Sequence, residues 1–237
     1  MLFDVQNVSF SSNHLDIVKN VSLQIEKGTV TGILGKSGSG KTTLAKLVSG
    51  ILVPTGGKVL FEGKDIQTMT KQRNLNFRRR CAFVFQNSAL WANQNILQNL
   101  MLPLDLHYRK MTMEEKNMSV QSVCAMVNFT RSLQLRPADL SAGEQKKIAF
   151  ARAMITGPEI LFLDEVIAGL DIKSATTIIN LLHSFVENGN TLIYVSHDNS
   201  FIREFPGIMH IVDNGELVTT MTDVPDVDKL MDSIEDR

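Results

Sequence analysis

Gly35-Lys36-Ser37-Gly38-Ser39-Gly40-Lys41-Thr42 lies between the apolar run Val-Thr-Gly-Ile-Leu at 30–34 and a segment that puts Leu44, Leu47, Val48 and Ile51 on one helical face. It fits the spacing G-x-x-x-x-G-K-[ST] and stands where that spacing needs to stand, after a strand and before a helix. The glycines let the backbone curl until several N–H groups point at one phosphate, and the helix start behind them adds partial positive charge. On this reading Gly35, Ser37, Gly38, Ser39 and Gly40 cradle the phosphates of a nucleotide. Lys41 bridges its β- and γ-phosphates, Thr42 ligates Mg2+ and Thr43 reaches the α-phosphate. The competing reading is a Gly/Ser-rich turn with an incidental lysine, which has no need of the flanking strand and helix.

Outward from this loop, residues 3–10, 17–25, 30–34 and 58–61 read as strands, with turns at Lys27-Gly28 and Glu62-Gly63. The short apolar runs at 81–85, 160–163 and 191–195 suit parallel strands buried on both faces, and their alternation with helices implies an α/β core. Between 87 and about 153 the spacing turns helical, as in Ile96, Leu97, Leu100 and Met101 or Val120, Val123 and Val127. Near the end, 208–212 and 216–218 flank Asp213-Asn214-Gly215, whose composition favours a tight hairpin turn. The expected organisation is one unit over 1–237. Residues 1–86 and 156–222 form the β and α/β core, 87–155 an inserted helical subdomain, and 223–237 an acidic tail expected as a loosely held helix.

Composition narrows the function. The 237 residues carry 24 Lys+Arg against 25 Asp+Glu, a net charge of −1 that argues against a basic polyanion binder, so no nucleic-acid partner is expected. With 43% hydrophobic residues the chain is expected to fold, and no apolar stretch approaches the roughly 20 residues that cross a bilayer. The N-terminal MLFDVQNVSF alternates like a strand rather than a signal peptide, so the chain is expected to be soluble and cytoplasmic. Cys81 and Cys124, the only cysteines, have no metal spacing and are expected as buried free thiols.

Two further motifs bear on chemistry. Ile160-Leu161-Phe162-Leu163-Asp164-Glu165 sets two carboxylates at the end of a buried strand, where open α/β sheets bind ligands. Asp164 is expected to hold Mg2+ through water and Glu165 to orient and polarise the attacking water. Leu140-Ser141-Ala142-Gly143-Glu144-Gln145 precedes a helical run with Ile148, Ala149, Ala151, Arg152 and Met154 packed, so Ser141 and the Gly143 backbone sit at a helix start. Taken alone, the first segment also reads as an acidic helix cap and the second as an N-cap.

Together and in this order, the three motifs resemble those of ABC-transporter nucleotide-binding subunits, and the resemblance covers essentially the whole chain. It implies an α/β fold: a phosphate-loop RecA-like core with an N-terminal antiparallel β subdomain and an inserted α-helical subdomain. It implies an Mg-dependent ATP hydrolase with ATP and Mg2+ as cofactors. Gln86, read as the last residue of the strand Cys81-Ala82-Phe83-Val84-Phe85-Gln86, corresponds to the glutamine that touches Mg2+ and water and senses a transmembrane partner. Asp171, in Ala168-Gly169-Leu170-Asp171, corresponds to the aspartate across the dimer interface, and His197 to the switch histidine at the γ-phosphate. The partners implied are a second copy, sandwiching two ATPs so that each Ser141 faces the nucleotide on the other copy's Lys41, and a transmembrane permease. The location implied is the cytoplasmic, inner face of the cell membrane.

The chain departs from the family pattern at Ala142, at Val166 after Glu165, and at Ser12, where many relatives carry an adenine-stacking aromatic; His14 is a candidate substitute. The segment from Phe85 to Leu104, with Leu90 and Trp91, resembles the Mla/Mce-type lipid-transport ATPases. That narrower resemblance implies a phospholipid or other hydrophobic substrate and an envelope lipid-binding component. The basic residues Lys71, Arg73, Arg78, Arg79 and Arg80 read as a solvated edge, with a permease or lipid-headgroup contact as the lesser reading. Two other classes compete: a regulatory ABC ATPase signalling through a membrane partner without transport, and a nucleotide-binding module with degenerate catalysis.

Overall fold

The computed structural model describes residues 1–222, so the expected tail helix over 223–237 lies outside the described residues. The strands are β1 (Phe3–Ser12), β2 (Leu15–Ile25), β3 (Val30–Leu34), β4 (Gly56–Phe61), β5 (Lys64–Asp65), β6 (Cys81–Val84), β7 (Ile160–Asp164), β8 (Thr191–Val195), β9 (Ile208–Asp213) and β10 (Glu216–Met221). They form two sheets. One is antiparallel in the order β2-β1-β4-β5; the other runs β10-β9-β3-β8-β7-β6, parallel except for β10. Every residue of β3, β7 and β8 is buried, which is why their sequences are nearly continuous apolar runs without alternation.

The helix α1 (Lys41–Val48) is packed between the sheets. Leu44, Leu47 and Val48 share one buried cluster with Val5 and Val21 of the first sheet and Ile33, Phe162 and Ile193 of the second. The ring of Phe3 lies 5.2 Å from that of Phe61 and 5.8 Å from that of Phe162, an aromatic seam joining the sheets. The second core covers the other face of the parallel sheet. There α3 (Ile96–His107), α4 (Met113–Met126), α5 (Ala142–Met154) and α6 (Ile172–Glu187) bury Leu100, Val123, Phe150 and Ile178 with Leu161 and Leu192.

Among the described residues no strand falls between β6 and β7. The three α-helices there each begin with a reciprocal capping box, Asn95 with Gln98, Thr112 with Glu115 and Ser141 with Glu144. Each such cap is worth about 1 kcal/mol and satisfies backbone donors that a helix start leaves open. The hairpin at Asp213-Asn214-Gly215 is as expected, with φ of +48° at Asn214 and +84° at Gly215, the two positive values of a type I′ turn.

The basic run differs from its reading as a solvated edge. It forms a helix, α2 (Lys71–Arg80), capped by Thr70. Lys71, Arg73 and Arg79 are exposed. Arg78, however, donates to the carbonyls of Ser49 and Gly50 at 3.0 and 2.5 Å, closing the C-terminal end of α1. Arg80 donates to Glu62 at 2.7 Å and to Glu159 at 3.1 Å, which ties the two sheets together and holds its guanidinium above its ordinary pKa. Cys124 is buried as expected, whereas Cys81 is only partly covered; both are free thiols.

Candidate functional site

The loop 35–40 leaves β3 and enters α1 through glycines at φ +150°, +79° and +99° (Gly35, Gly38 and Gly40). A Cβ at Gly35 would lie 2.0 Å from the Val212 carbonyl, and one at Gly40 would lie 2.6 Å from the Ile17 carbonyl, so neither position admits a side chain. At Gly38 the same construction meets nothing within 4 Å, because that part of the loop borders open space. Gly40, the N-cap of α1, makes no side-chain cap, and Lys41, Thr42 and Thr43 line the cavity beyond it. The β9–β10 hairpin braces the loop from behind, as Gly215 N–H donates to the Ser39 carbonyl at 3.0 Å. Ser39 Oγ is buried with no hydrogen-bond partner among the described residues.

That cavity encloses about 920 Å³ and is lined by Gly35, Lys36, Ser37, Gly38, Gly40, Lys41, Thr42 and Thr43 on one side and Gln86, Glu165 and His197 on the other. Lys41 is only 6% exposed; burial pushes its pKa down, opposed by Glu165 and Asp164. Thr42 Oγ1 donates to Asp164 Oδ1 at 2.7 Å, joining the phosphate loop to the end of β7. Asp164 is 3% exposed and its pKa is raised, by burial first, against the Thr42 hydrogen bond and the charge of Lys46.

Glu165 follows Asp164 with φ +48°, a left-handed conformation that costs a non-glycine residue about 1 to 2 kcal/mol. Three contacts hold it there. Its N–H donates to the Val195 carbonyl at 3.0 Å, Gln86 Nε2 donates to Oε2 at 2.6 Å, and His197 Nδ1 lies 3.0 Å from Oε1. Three strand ends therefore meet at one carboxylate. β6 ends at Val84, so Gln86 belongs to the turn beyond the strand rather than to its last position.

Ser141 and Gly143 are not among the residues that line this cavity. Ser141 caps α5, its Oγ accepting from Glu144 N at 3.2 Å while its own N–H donates to Glu144 Oε2 at 2.9 Å. Asp171 caps α6, accepting from Ser174 N and Oγ at 3.0 and 2.6 Å, hydrogen bonds that hold its carboxyl below the usual range. A Cβ built on Gly143 would lie 3.8 Å from Asp171 Oδ2, so these two motifs adjoin each other.

Ile17 lines the cavity and supplies its apolar wall, a role the sequence did not suggest because Ile17 lies in an ordinary strand pattern. Neither Ser12 nor His14 lines it; His14 is exposed at the β1–β2 turn. Two basic residues of α5 also reach the loops that follow β7 and β6. Lys146 Nζ donates to the carbonyls of Ala168 and, at 3.4 Å, Glu165, and Arg152 to those of Ala89 and Ser88 at 2.9 and 3.2 Å. The sequence placed Arg152 among packed residues and gave no sign of either contact.

The family model "ABC transporter" matches residues 18–168. The methionine import ATP-binding protein MetN of Cereibacter sphaeroides is 32% identical over 202 residues, covering 85% of this chain and 57% of that protein. MetN of Mannheimia succiniciproducens is 30% identical over 218 residues, covering 92% and 61%. The chain thus spans about three fifths of the length of these curated relatives. A solved dimeric structure of the ATP-binding cassette MJ0796, in a post-hydrolysis state with ADP and Pi, superposes with a TM-score of 0.85 at 29% identity, covering 93% of this chain and 98% of that one. The relatives' names do not carry the narrower likeness to lipid-transport ATPases, which rests on residues 85–104 and on Ser12 in place of the adenine-loop aromatic. With the phosphate loop, the paired acids and the two-sheet fold all in place, the chain belongs to the ABC transporter family.

Proposed function

We propose that the chain is the ATP-hydrolysing subunit of a membrane transporter, working as a head-to-tail pair of copies against a permease. The observation that carries this reading is the shared cavity, in which the phosphate loop faces Gln86, Glu165 and His197 while Ser141 stands outside. One chain thus presents most of a nucleotide site and, elsewhere, a helix start suited to a phosphate on another chain. No helix among the described residues is long and apolar enough to cross a membrane, and on this reading the permease supplies the transport path.

Backbone N–H groups of residues 38–43 and the Lys41 ammonium hold the phosphates, and Ile17 offers the base an apolar surface. The Thr42 hydroxyl, the Asp164 carboxylate and the Gln86 amide oxygen are hard oxygen donors of the kind Mg2+ takes. When bound, Mg2+ supplies charge neutralisation at the β- and γ-phosphates. Glu165 orients and polarises the attacking water. Gln86 fixes one of its oxygens and His197 the other, which leaves the carboxylate a single orientation. Asp171 and Ser141 act across the pair, at the other copy's nucleotide.

For the substrate, the methionine import relatives favour a small polar molecule moved inward. The lipid reading, with an envelope lipid-binding component, is not supported by those relatives. The test is a pull-down of the tagged Glu165→Gln chain from detergent-solubilised native membranes with Mg·ATP. Recovery of a permease that responds to methionine supports import, and recovery of a permease with bound phospholipid restores the lipid reading. Recovery of a signalling membrane protein, or of no membrane partner, overturns transport and favours a regulatory ATPase.

A further inference from the structure

The contacts of Lys146 and Arg152 have a common origin: both side chains project from α5, the helix that Ser141 caps. Arg152 forks onto the carbonyls of Ser88 and Ala89, non-glycine residues at φ +63° and +45° just after Gln86. Such conformations cost about 1 to 2 kcal/mol each, and a charged fork across both carbonyls offsets that cost. Ser88 itself is 4% exposed and its N–H donates to the Phe85 carbonyl at 3.0 Å, so the turn that carries Gln86 is held from both ends. Lys146 grips the other catalytic loop, at Glu165 and Ala168. Gln86 and Glu165 are joined to each other at 2.6 Å. Ile148, Phe150 and Ala151, between the two cations, are fully buried, so α5 is a firm seat for both.

We propose that Lys146 and Arg152 are positioning residues that make α5 a lever between two sites. A nucleotide of the second copy, engaged at Ser141, sets α5, and α5 through these cations sets the Gln86–Glu165 pair of its own chain. This rests on the two-copy reading above and adds to it a route by which each site reports to the other. Occupancy of one nucleotide site then governs turnover at the other, and hydrolysis is cooperative in ATP.

Steady-state hydrolysis by the full chain tests this, with folding checked by circular dichroism and nucleotide affinity by a fluorescent ATP analogue. Lys146→Met is expected to leave affinity unchanged, to lower kcat roughly 10-fold through misplacement of Glu165, and to bring the Hill coefficient to about 1. Arg152→Gln is expected to do the same, and Arg152→Lys to recover part of kcat. Folded Lys146→Met and Arg152→Gln proteins with the parent kcat and Hill coefficient overturn the lever. Sizing of the Glu165→Gln chain with Mg·ATP separates the two ideas. Absence of a dimer there removes the two-copy reading and the lever with it, whereas a dimer beside unchanged Lys146→Met kinetics removes the lever alone.

Discussion

The two walls of the nucleotide cavity are built by different means. The wall at residues 35–43 is local: one stretch of chain, three glycines in conformations closed to other residues, and the start of a helix. The facing wall is assembled from the ends of β6, β7 and β8, and it is side chains that hold it, Gln86 and His197 on Glu165, with Lys146 and Arg152 behind. A backbone cradle tolerates change outside itself and binds whatever carries the right phosphates. A glutamate held by three long-range contacts, two of them to its carboxylate, is sensitive to each of them. Binding and turnover should therefore separate cleanly between the walls.

The largest expected effect tests that separation directly. Glu165→Gln should keep ATP affinity while slowing turnover about 10²- to 10⁴-fold, roughly 3 to 5 kcal/mol in barrier. Turnover measured beside nucleotide binding decides it, and unchanged turnover would remove Glu165 from its role.

Acid should strike the local wall through its brace. His210 in β9 is 2% exposed, and burial lowers its pKa from 6.5 to about 4. Because the folded pKa lies below the unfolded one, the unfolded chain takes up a proton first as pH falls. Its contribution is thus complete above about pH 6.5 and lost progressively down to about pH 4, some 3 kcal/mol in all. Urea unfolding at pH 7 and pH 4.5 should show a difference that shrinks in His210→Asn; an equal loss in both proteins would clear His210.

Within the local wall, Gly40→Ala should cost about 2 kcal/mol or more, with loss of ATP affinity, since its Cβ meets a carbonyl at 2.6 Å. Gly38→Ala, at an open position with φ +79°, should cost about 1 kcal/mol. Equal costs in denaturant melts would mean that the loop yields as a whole. The smallest effect lies outside both walls. Thr112→Ala removes the cap of α4 and should cost about 0.5 to 1 kcal/mol with turnover unchanged. A fall in turnover there would show that the helical region as a whole, rather than α5, reaches the site.

Much of the fold was legible. Strands over 30–34 and 191–195 came out at the residues read, because buried parallel strands leave unbroken apolar runs between turns. The helix α2 was not, since Lys-Gln-Arg-Asn-Leu-Asn-Phe-Arg-Arg-Arg buries only Phe77 and shows no apolar stripe. Arg80 looked like a surface charge because its partners Glu62 and Glu159 are 18 and 79 residues away. The site divides in the same way: the motifs were readable, while Ile17 and the reach of Lys146 and Arg152 were not.

What the sequence determined by itself was therefore the phosphate loop, the paired acids at the end of a buried strand and the helix cap at Ser141, each contiguous and each obeying local backbone rules. The tertiary structure alone decided which strand ends share a carboxylate, which of the basic residues are tied down, and that α5 touches both the loop after β6 and the loop after β7. Those contacts join residues 18 to 79 positions apart. No local pattern encodes such pairs, because they exist only once two cores have packed on either face of one sheet and brought its strand ends together.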